Sequence, residues 1–356
     1  MNTRKVGLVL LAFLLAACSI DMSGNTPPNT SSVASPTPLP WIGLHLAGQL
    51  IFIQEEGSLV KNGQVVKLDL VSGQTTTLFQ SPSNAWPTAV AVSPDGKWIA
   101  MAYAPPPKDP SQQSGYTELD VLPIDASREP QPVLPRTDPQ ETFSFPQWSV
   151  DGQSIYYAHV FPDTTGPLVH IHFNYTIERV AYPNGHPQKI LDDAIWPRLS
   201  PDGKQLAYVS YDQQSGENDL YVADVDGTHA RLAVPARTFY AVDAPLFSPD
   251  SQTLLFTAIG GPASSQRLWF DHRISSRNQT RLRHNLPADW WRVNLATGKM
   301  ESLTHIADTG MYGDFAPDGQ HVAFVSASGL FVMKPDGTNL TRLMDTGPAG
   351  TVSWIP

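Results

Sequence analysis

Carboxylates are the chemistry-bearing residues that recur at a fixed place in this sequence. Three of them each lie eight residues before the Ser or Ala that opens a repeated short phrase, and they are Glu141, Asp192 and Asp308. Three others lie nearby: Asp193, Asp243 and Asp314. If the fold gathers these carboxylates around a channel mouth, they could bind a cation or a basic peptide group. The alternative interpretation is that they cap the backbone amides of loops.

Paired carboxylates could also cleave a glycan. Glycosidases hold two carboxyl groups about 5–5.5 Å apart when they retain configuration, and about 6.5–9.5 Å apart when they invert it. A carboxylate-dependent, glycan-active enzyme is therefore one alternative function. It requires Glu141, Asp192 and Asp308 to lie at such separations without being capped by backbone amides.

A basic segment between residues 260 and 287 is the second candidate site. Its cationic and aromatic members are Arg267, Trp269, Arg273, Arg277, Arg281 and Arg283. An arginine cluster in an otherwise acidic protein predicts contact with an anion or an acidic polymer. The alternative is a solvated loop whose aromatic residues pack on neighbouring structure.

Other catalytic signatures are weak. His170 and His172 would share one face of a strand, but no third ligand accompanies them at a spacing typical of metal sites. The sequence contains no Gly-x-Ser-x-Gly hydrolase elbow. We therefore predict no cofactor and no resident metal, apart from a cation that the channel could hold, and a protein that is not an enzyme.

The charge balance restricts the partners. The chain carries 33 acidic and 23 basic residues, so it lacks the basic surface that nucleic-acid binding requires. Its 41% of hydrophobic residues can build a core, while its 33 prolines disfavour a helical protein. The single cysteine excludes an intramolecular disulfide.

That cysteine follows a segment typical of export. Arg4 and Lys5 precede an uncharged run, residues 6–17, which is shorter than the roughly 20 residues that span a bilayer. The run ends Leu-Ala-Ala before Cys18, which resembles the lipobox of bacterial lipoproteins. The resemblance implies a signal peptide over residues 1–17, and a lipid-modified Cys18 that begins a Ser/Thr/Pro-rich tether over residues 18–40. A plain secretory signal is the alternative.

A short phrase occurs five times and predicts a tight turn each time. Its clearest copy is Ser-Pro-Asp-Gly-Lys at residues 93–97. Proline presets the φ of a turn, aspartate bonds its own backbone, and glycine accepts a positive φ. We assign this structural role to Asp95, Gly96, Asp151, Gly152, Asp202, Gly203, Asp250, Asp318 and Gly319.

Each phrase would join the first two strands of a four-stranded unit, whose strands we call A to D. A second turn in most units, such as residues 71–74, follows strands with an alternating pattern. Such units are propeller blades. The first unit lacks strand A, while residues 352–356 match an A strand. We therefore predict an all-β fold of six four-stranded antiparallel blades, closed by the C-terminal strand in the first blade.

Aromatic residues recur near the ends of the A strands. They are Trp148, Trp196, Phe247, Phe315 and Trp354. We expect them to pack one blade against the next.

The repeated phrase resembles the PD40, or WD40-like, repeats of TolB-type propellers. The resemblance covers about residues 45–356 and implies a six-bladed propeller domain over residues 41–356. TolB itself carries an α/β domain before its propeller, where this sequence predicts a tether. A TolB-like partner is therefore not implied.

The two faces of such a disc would differ. The tight A–B and C–D turns would form one face, and the B–C loops and D–A connections the other. The B–C loops are unequal, spanning residues 54–64, 104–115, 161–168, 212–218, 260–287 and 327–328. Variation on a rigid scaffold favours binding. We expect an extracytoplasmic, monomeric protein, membrane-bound by its lipid anchor alone, that binds a protein or cell-envelope polymer without catalysis. An extracellular sensor module is a further alternative.

Overall fold

The computed structural model describes residues 39–55, 62–107, 115–163, 172–211, 218–261, 286–345 and 347–356. These residues form six antiparallel sheets of four strands each, which confirms the predicted fold class. Within them, the helical structure is a short 3-10 turn at Ile42–Leu44, and no helix is long and apolar enough to cross a membrane.

Strand labels follow chain order, and each blade is given from its innermost strand outwards. The first blade contains β24 (Pro348–Ile355), β1 (Gln49–Glu55), β2 (Gly63–Asp69) and β3 (Thr75–Gln80). The second contains β4 (Trp86–Val92), β5 (Trp98–Ala104), β6 (Glu118–Pro123) and β7 (Gln131–Leu134). The third contains β8 (Thr142–Trp148), β9 (Ser154–Asp163), β10 (His172–Ala181) and β11 (Gln188–Asp192).

The remaining three blades follow the same order without interruption. The fourth contains β12 (Ala194–Leu199), β13 (Gln205–Ser210), β14 (Leu220–Asp224) and β15 (Arg231–Leu232). The fifth contains β16 (Ala241–Phe247), β17 (Thr253–Ile259), β18 (Asp289–Asn294) and β19 (Met300–Ser302). The sixth contains β20 (Tyr312–Phe315), β21 (Val322–Ser326), β22 (Gly329–Met333) and β23 (Thr341–Met344).

The C-terminal strand closes the ring, as the sequence predicted. Strand β24 pairs with β1 in an antiparallel register that places Trp354 opposite Leu50. The Trp354 side chain is buried, and its indole Nε1 donates to the carbonyl oxygen of Ala47 at 2.9 Å. Because the last strand completes the first sheet, the inner edge of β1 is paired rather than open to another chain.

The repeated phrase forms the A–B turns. In the first copy the Ser93 hydroxyl donates to Asp95 at 2.6 Å, and the same carboxylate accepts the Lys97 amide at 3.1 Å. Gly96 takes a φ of 68°, which a side chain would strain. The same serine–aspartate contact recurs at Ser149, Ser200 and Ser248. The aspartates of the phrase are therefore turn residues.

The hydrophobic core lies between blades. The second strand of each sheet contains at least four consecutive buried residues. Phe52, Tyr157, Phe256, Trp290 and Phe324 are among the largest side chains with less than 2% exposure. Successive sheets pack these side chains face to face, which holds the ring rigid.

The third blade departs from the sequence prediction. Its central strands β9 and β10 run for ten residues each and pair from Ser154 opposite Ala181 to Asp163 opposite His172. The loop that we expected from residue 161 therefore begins later. The residues from His159 to Phe161 suit a strand as well as a loop, and their pairing with β10 decides between the two.

Candidate functional site

Two cavities lie along the axis of the ring, among its innermost strands. The larger, of about 800 Å³, opens between the B–C loops and the D–A connections, which we call the loop face. We name this cavity the vestibule. Its polar lining consists of Glu55, Thr88, Thr117, Thr142, Ser144, Thr309 and Ser326, together with the glycines Gly115, Gly310, Gly347 and Gly350.

The smaller cavity, of about 220 Å³, lies at the opposite end of the inner strands. Pro94, which belongs to the first A–B turn, is part of its wall, so this cavity opens on the turn face. We name it the turn-face chamber. Its lining includes the charged pair Arg198 and Asp314 and the aromatic residues Trp148 and Trp196.

Two aromatic side chains separate the cavities. Phe145 and Tyr312 line both of them, and their ring centroids lie 5.5 Å apart. Trp196 lies 5.7 Å from Phe145, on the chamber side. We call these three residues the aromatic plug. Burial, followed by the nearby Asp243 carboxylate, raises the pKa of Tyr312 well above its usual value, so its hydroxyl stays protonated.

Bulges in the inner strands aim two of the plug residues, Phe145 and Trp196, into the channel. In β8 the register shifts between Ser144 and Gln147, so two residues oppose one on the neighbouring strand. The first bulge residue has a positive φ: 52° at Phe145, 53° at Trp196, 49° at Ala244 and 66° at Gly350. Bulges re-aim side chains and break the inward–outward alternation.

The bulges carry backbone strain at bulky residues. A positive φ is unusual for an aromatic residue and costs roughly 1–3 kcal/mol at each position. Each of Phe145, Trp196 and Ala244 is followed by a proline, which presets the next φ. The strain falls on the channel wall, where strained backbone commonly marks ligand contacts. Trp196 therefore lines the channel as well as packing between blades.

The structure places Glu141 just before β8, with its side chain buried. Its carboxylate accepts the backbone amides of Thr137 and Asp138, the latter at 3.2 Å, and the Thr137 hydroxyl at 3.0 Å. Burial alone would raise the pKa of Glu141, but these hydrogen bonds outweigh it and lower the pKa. The Glu141 carboxylate therefore caps loop backbone.

Glu141 also contacts a histidine that the sequence analysis did not single out. Nε2 of His159 lies 2.8 Å from the Glu141 carboxylate, and its Nδ1 lies 3.0 Å from Glu178. Glu178 further accepts the hydroxyls of Tyr157 and Thr176. This network joins the connection before β8 to strands β9 and β10 near the loop face. The sequence offers one signal for this network: His159 and Glu178 are ionisable residues within strands that are otherwise largely apolar.

Asp308, in the D–A connection of the sixth blade, is also engaged. It accepts the Ser326 hydroxyl at 2.6 Å, the Ser328 hydroxyl, and the Thr309 amide at 2.8 Å. Burial raises the pKa of Asp308 less than these hydrogen bonds lower it. Glu141 and Asp308 thus both accept hydrogen bonds from backbone amides. The glycan-active alternative required carboxylates without such capping, so this finding argues against it.

The other four carboxylates are dispersed. Asp192 ends β11 and pairs with Lys189 at 2.9 Å on the exposed surface, and the exposed Asp193 follows it. Asp243 is buried in β16. Asp314 lies at the turn-face end and pairs with Arg198. Within the described ranges, Glu55 is the carboxylate that lines the vestibule, and no group of three His, Cys, Asp or Glu could hold a metal ion.

Several candidates lie outside the described residues. These are Cys18 and the whole basic segment, comprising Arg267, Trp269, Arg273, Arg277, Arg281 and Arg283.

Parts of the chain are similar in sequence to proteins named as peptidases. Residues 271–355 match the family described as dipeptidyl peptidase IV (DPP IV) N-terminal region. Dipeptidyl-peptidase 5 of Porphyromonas gingivalis is 30% identical over 185 residues, which are 44% of this chain and 26% of that protein. Peptidase YuxL of Bacillus subtilis, described as uncharacterized, is 32% identical over 143 residues, which are 36% of this chain and 21% of that protein.

Solved structures match over most of the chain and show the fold. TolB from Acinetobacter baumannii superposes with a TM-score of 0.60 at 16% identity, over 87% of this chain and 67% of that chain. A chain of a nidogen/laminin complex superposes with a TM-score of 0.58 at 12% identity, over 86% of this chain and 98% of that chain. These matches confirm the predicted likeness to TolB-type propellers.

The peptidase relatives correct two expectations. A non-catalytic role in binding a protein or envelope polymer was wrong, because the curated relatives are named as peptidases. The expectation that the protein is not an enzyme was wrong on the same ground. The physical reason is that the repeated phrase specifies turns. It carries no information about the reaction that a propeller serves.

Proposed function

We propose that this protein functions in peptide hydrolysis, with the propeller as the substrate-handling part of a peptidase. The observation that carries the proposal is the similarity to a dipeptidyl-peptidase and to a second peptidase, together with a vestibule of about 800 Å³ at the loop face. The alignments span less than a third of either relative. The activity is therefore the part of the proposal that needs a direct test.

The vestibule suits a short peptide. Its volume lies in the range of roughly 300–1,000 Å³ typical of small-ligand sites, so it holds a peptide end and excludes a folded domain. Hydroxyl groups such as those of Thr88, Thr142 and Ser144 can bond peptide amides and carbonyls. Phe145 and Tyr312 form its floor, against which an apolar side chain can pack.

Close backbone approach shapes the same cavity. Gly350 has a φ of 66°, and a Cβ there would lie 2.4 Å from the carbonyl oxygen of Thr88. A side chain at this position would therefore force β24 and β4 apart. Glu55 contributes a negative charge to the lining, which favours a peptide's ammonium end.

The bond-breaking step needs an activated nucleophile. The described contacts pair Ser326 and Ser328 with Asp308, and His159 with two glutamates, so they join no serine to a histidine. We assign substrate handling to the vestibule and hydrolysis to a hydrolase unit that meets the loop face. The proposal places this assembly outside the cytoplasm, anchored through a lipid on Cys18.

Hydrolysis of dipeptidyl 4-nitroanilides tests the proposal. The full chain, purified under mild conditions from its own cells so that bound proteins are retained, should release nitroaniline above a mock purification. Ser144→Trp should abolish the activity because the indole fills the vestibule. Val150→Trp, at a half-exposed residue of an A–B turn, is the matched control and should keep it. No activity above the mock, or full activity in Ser144→Trp, would overturn the proposal.

A further inference from the structure

The turn-face chamber holds an ion pair that spans the channel. Arg198 belongs to the fourth blade and Asp314 to the sixth, so the guanidinium reaches past the fifth blade to bond the carboxylate. Both side chains are about four-fifths buried, with exposures of 21% and 23%. Two partly desolvated charges in a small cavity are costly to maintain without further hydrogen bonds.

A bulge aims Arg198 into this chamber. The register of β12 shifts between Ile195 and Arg198, with Trp196 and Pro197 opposing one residue of β13. The strain at Trp196, whose φ is 53°, therefore accompanies the placement of both an aromatic wall and a cation. Ala244 and Pro245 of the next blade also line the chamber, and their small side chains leave its space open.

The two charges have unequal spare capacity. Asp314 uses one oxygen for Arg198 and the other for the backbone amide of Trp354 at 3.0 Å. A guanidinium has five N–H donors, and the described contacts use one of them, from Nη2 to Asp314. The remaining donors can bind a carboxylate in the fork geometry that arginine favours.

We propose that the turn-face chamber is a binding site for a zwitterionic dipeptide. Arg198 binds the carboxylate, and Asp314, which retains lone pairs, accepts the ammonium group. Trp148, Trp196 and Pro245 contact an apolar side chain. The volume of about 220 Å³ is on the scale of a dipeptide.

The site is separate from the vestibule. The aromatic plug lies between the two cavities, so a ligand reaches the chamber from the turn face. The arrangement of charge and volume carries the proposal of a small zwitterion by itself. The choice of a dipeptide over another zwitterion rests on the proposed function, because a dipeptide is the product of such an enzyme.

Calorimetric titration of the full chain with Ala-Leu tests the assignment. We expect saturable binding. The amide Ala-Leu-NH₂ and the capped N-acetyl-Ala-Leu should each bind at least tenfold more weakly, since each lacks one charge. Taurine, a zwitterion without a peptide bond, should also bind more weakly. Equal binding of either modified dipeptide would overturn the two-charge assignment, and equal binding of taurine would overturn the dipeptide class.

Variants locate the binding. Arg198→Gln should weaken Ala-Leu binding at least tenfold, while Arg342→Gln, at an exposed arginine of β23 paired with Asp345, should leave the Kd unchanged. If Arg198→Gln loses stability, Ala244→Phe gives a second test, because its ring fills part of the chamber and both charged residues are retained. Unchanged Kd values in a folded Arg198→Gln or Ala244→Phe protein would overturn the proposal. The titration measures binding and requires no hydrolysis, so its outcome does not depend on the outcome of the peptidase assay.

Discussion

Trp354 and Ala47 are joined by a hydrogen bond of 2.9 Å, although 307 positions separate them in the chain. The indole of the C-terminal strand thereby fixes the segment that enters the first blade. Trp354 packs in the same core cluster as Leu50 and Phe52 of β1. The ring is closed by this contact and by the β24–β1 pairing, so its stability should depend on them.

Removing the indole should weaken the whole ring. We expect Trp354→Ala to lower the free energy of unfolding by roughly 3–5 kcal/mol, through lost burial and a cavity. The measurement is urea unfolding followed by circular dichroism. Ile355→Ala, on the next and half-buried residue of the same strand, should cost less. Equal effects of the two variants would show that Trp354 has no special part in closure.

The A–B turn of the fifth blade allows the role of glycine in these turns to be tested in both directions. Ser251 takes a φ of 58° where the other copies of the phrase carry glycine. Ser251→Gly should raise the free energy of unfolding by roughly 0.5–1 kcal/mol, because glycine adopts this conformation without strain. Gly96→Ser, at a position with φ 68° and nothing within 4 Å of an added Cβ, should lower it by about 1 kcal/mol. Thermal unfolding of both variants checks the pair, and changes of the same sign would contradict the turn assignment.

Asp120 should make stability depend on pH. Burial, with a smaller effect from Glu118, raises the pKa of this carboxyl to about 7 in the folded protein. The unfolded chain loses the proton near its ordinary pKa of 3.8, so folding free energy is present in full below that value and is lost as the pH rises to about 7. The loss is about 4 kcal/mol at most.

The isosteric variant Asp120→Asn isolates this effect. It should remove the decline in the free energy of unfolding between about pH 4 and pH 7, and it should be more stable than the wild type above pH 7. Urea unfolding across this range is the measurement, with Asp345→Asn as an exposed control that keeps the decline. A wild-type profile that does not fall between pH 4 and pH 7 would contradict the assignment to Asp120.

Cys18 should decide whether the protein stays on the membrane. Cys18→Ala removes the thiol to which the lipobox resemblance assigns the lipid, and we expect release into the soluble envelope fraction or accumulation of the unprocessed precursor. Fractionation and intact mass measurement check the outcome. Normal processing with full membrane retention in Cys18→Ala would rule out the lipid anchor. Ser19→Ala, at the next residue, is the matched control.

The blades were accessible to sequence reasoning because their information is local. A turn such as Ser93 to Lys97 is specified by residues that contact each other within five positions. Repetition of the phrase then set the number of strands, and the match of residues 352–356 to an A strand predicted closure. In the structure the carboxylates of Asp95, Asp151, Asp202 and Asp250 each accept a serine hydroxyl within such a turn.

Tertiary structure alone decided what faces the channel. A bulge shifts the alternation by one residue, and no local pattern announces whether Phe145 or its neighbour will point inwards. The His159–Glu178 contact likewise depends on the register between β9 and β10. The Arg198–Asp314 pair joins two blades through residues that are 116 positions apart in the chain. Such contacts form only when the sheets pair and the ring closes. The sequence therefore shows which residues are present but not which of them contact each other.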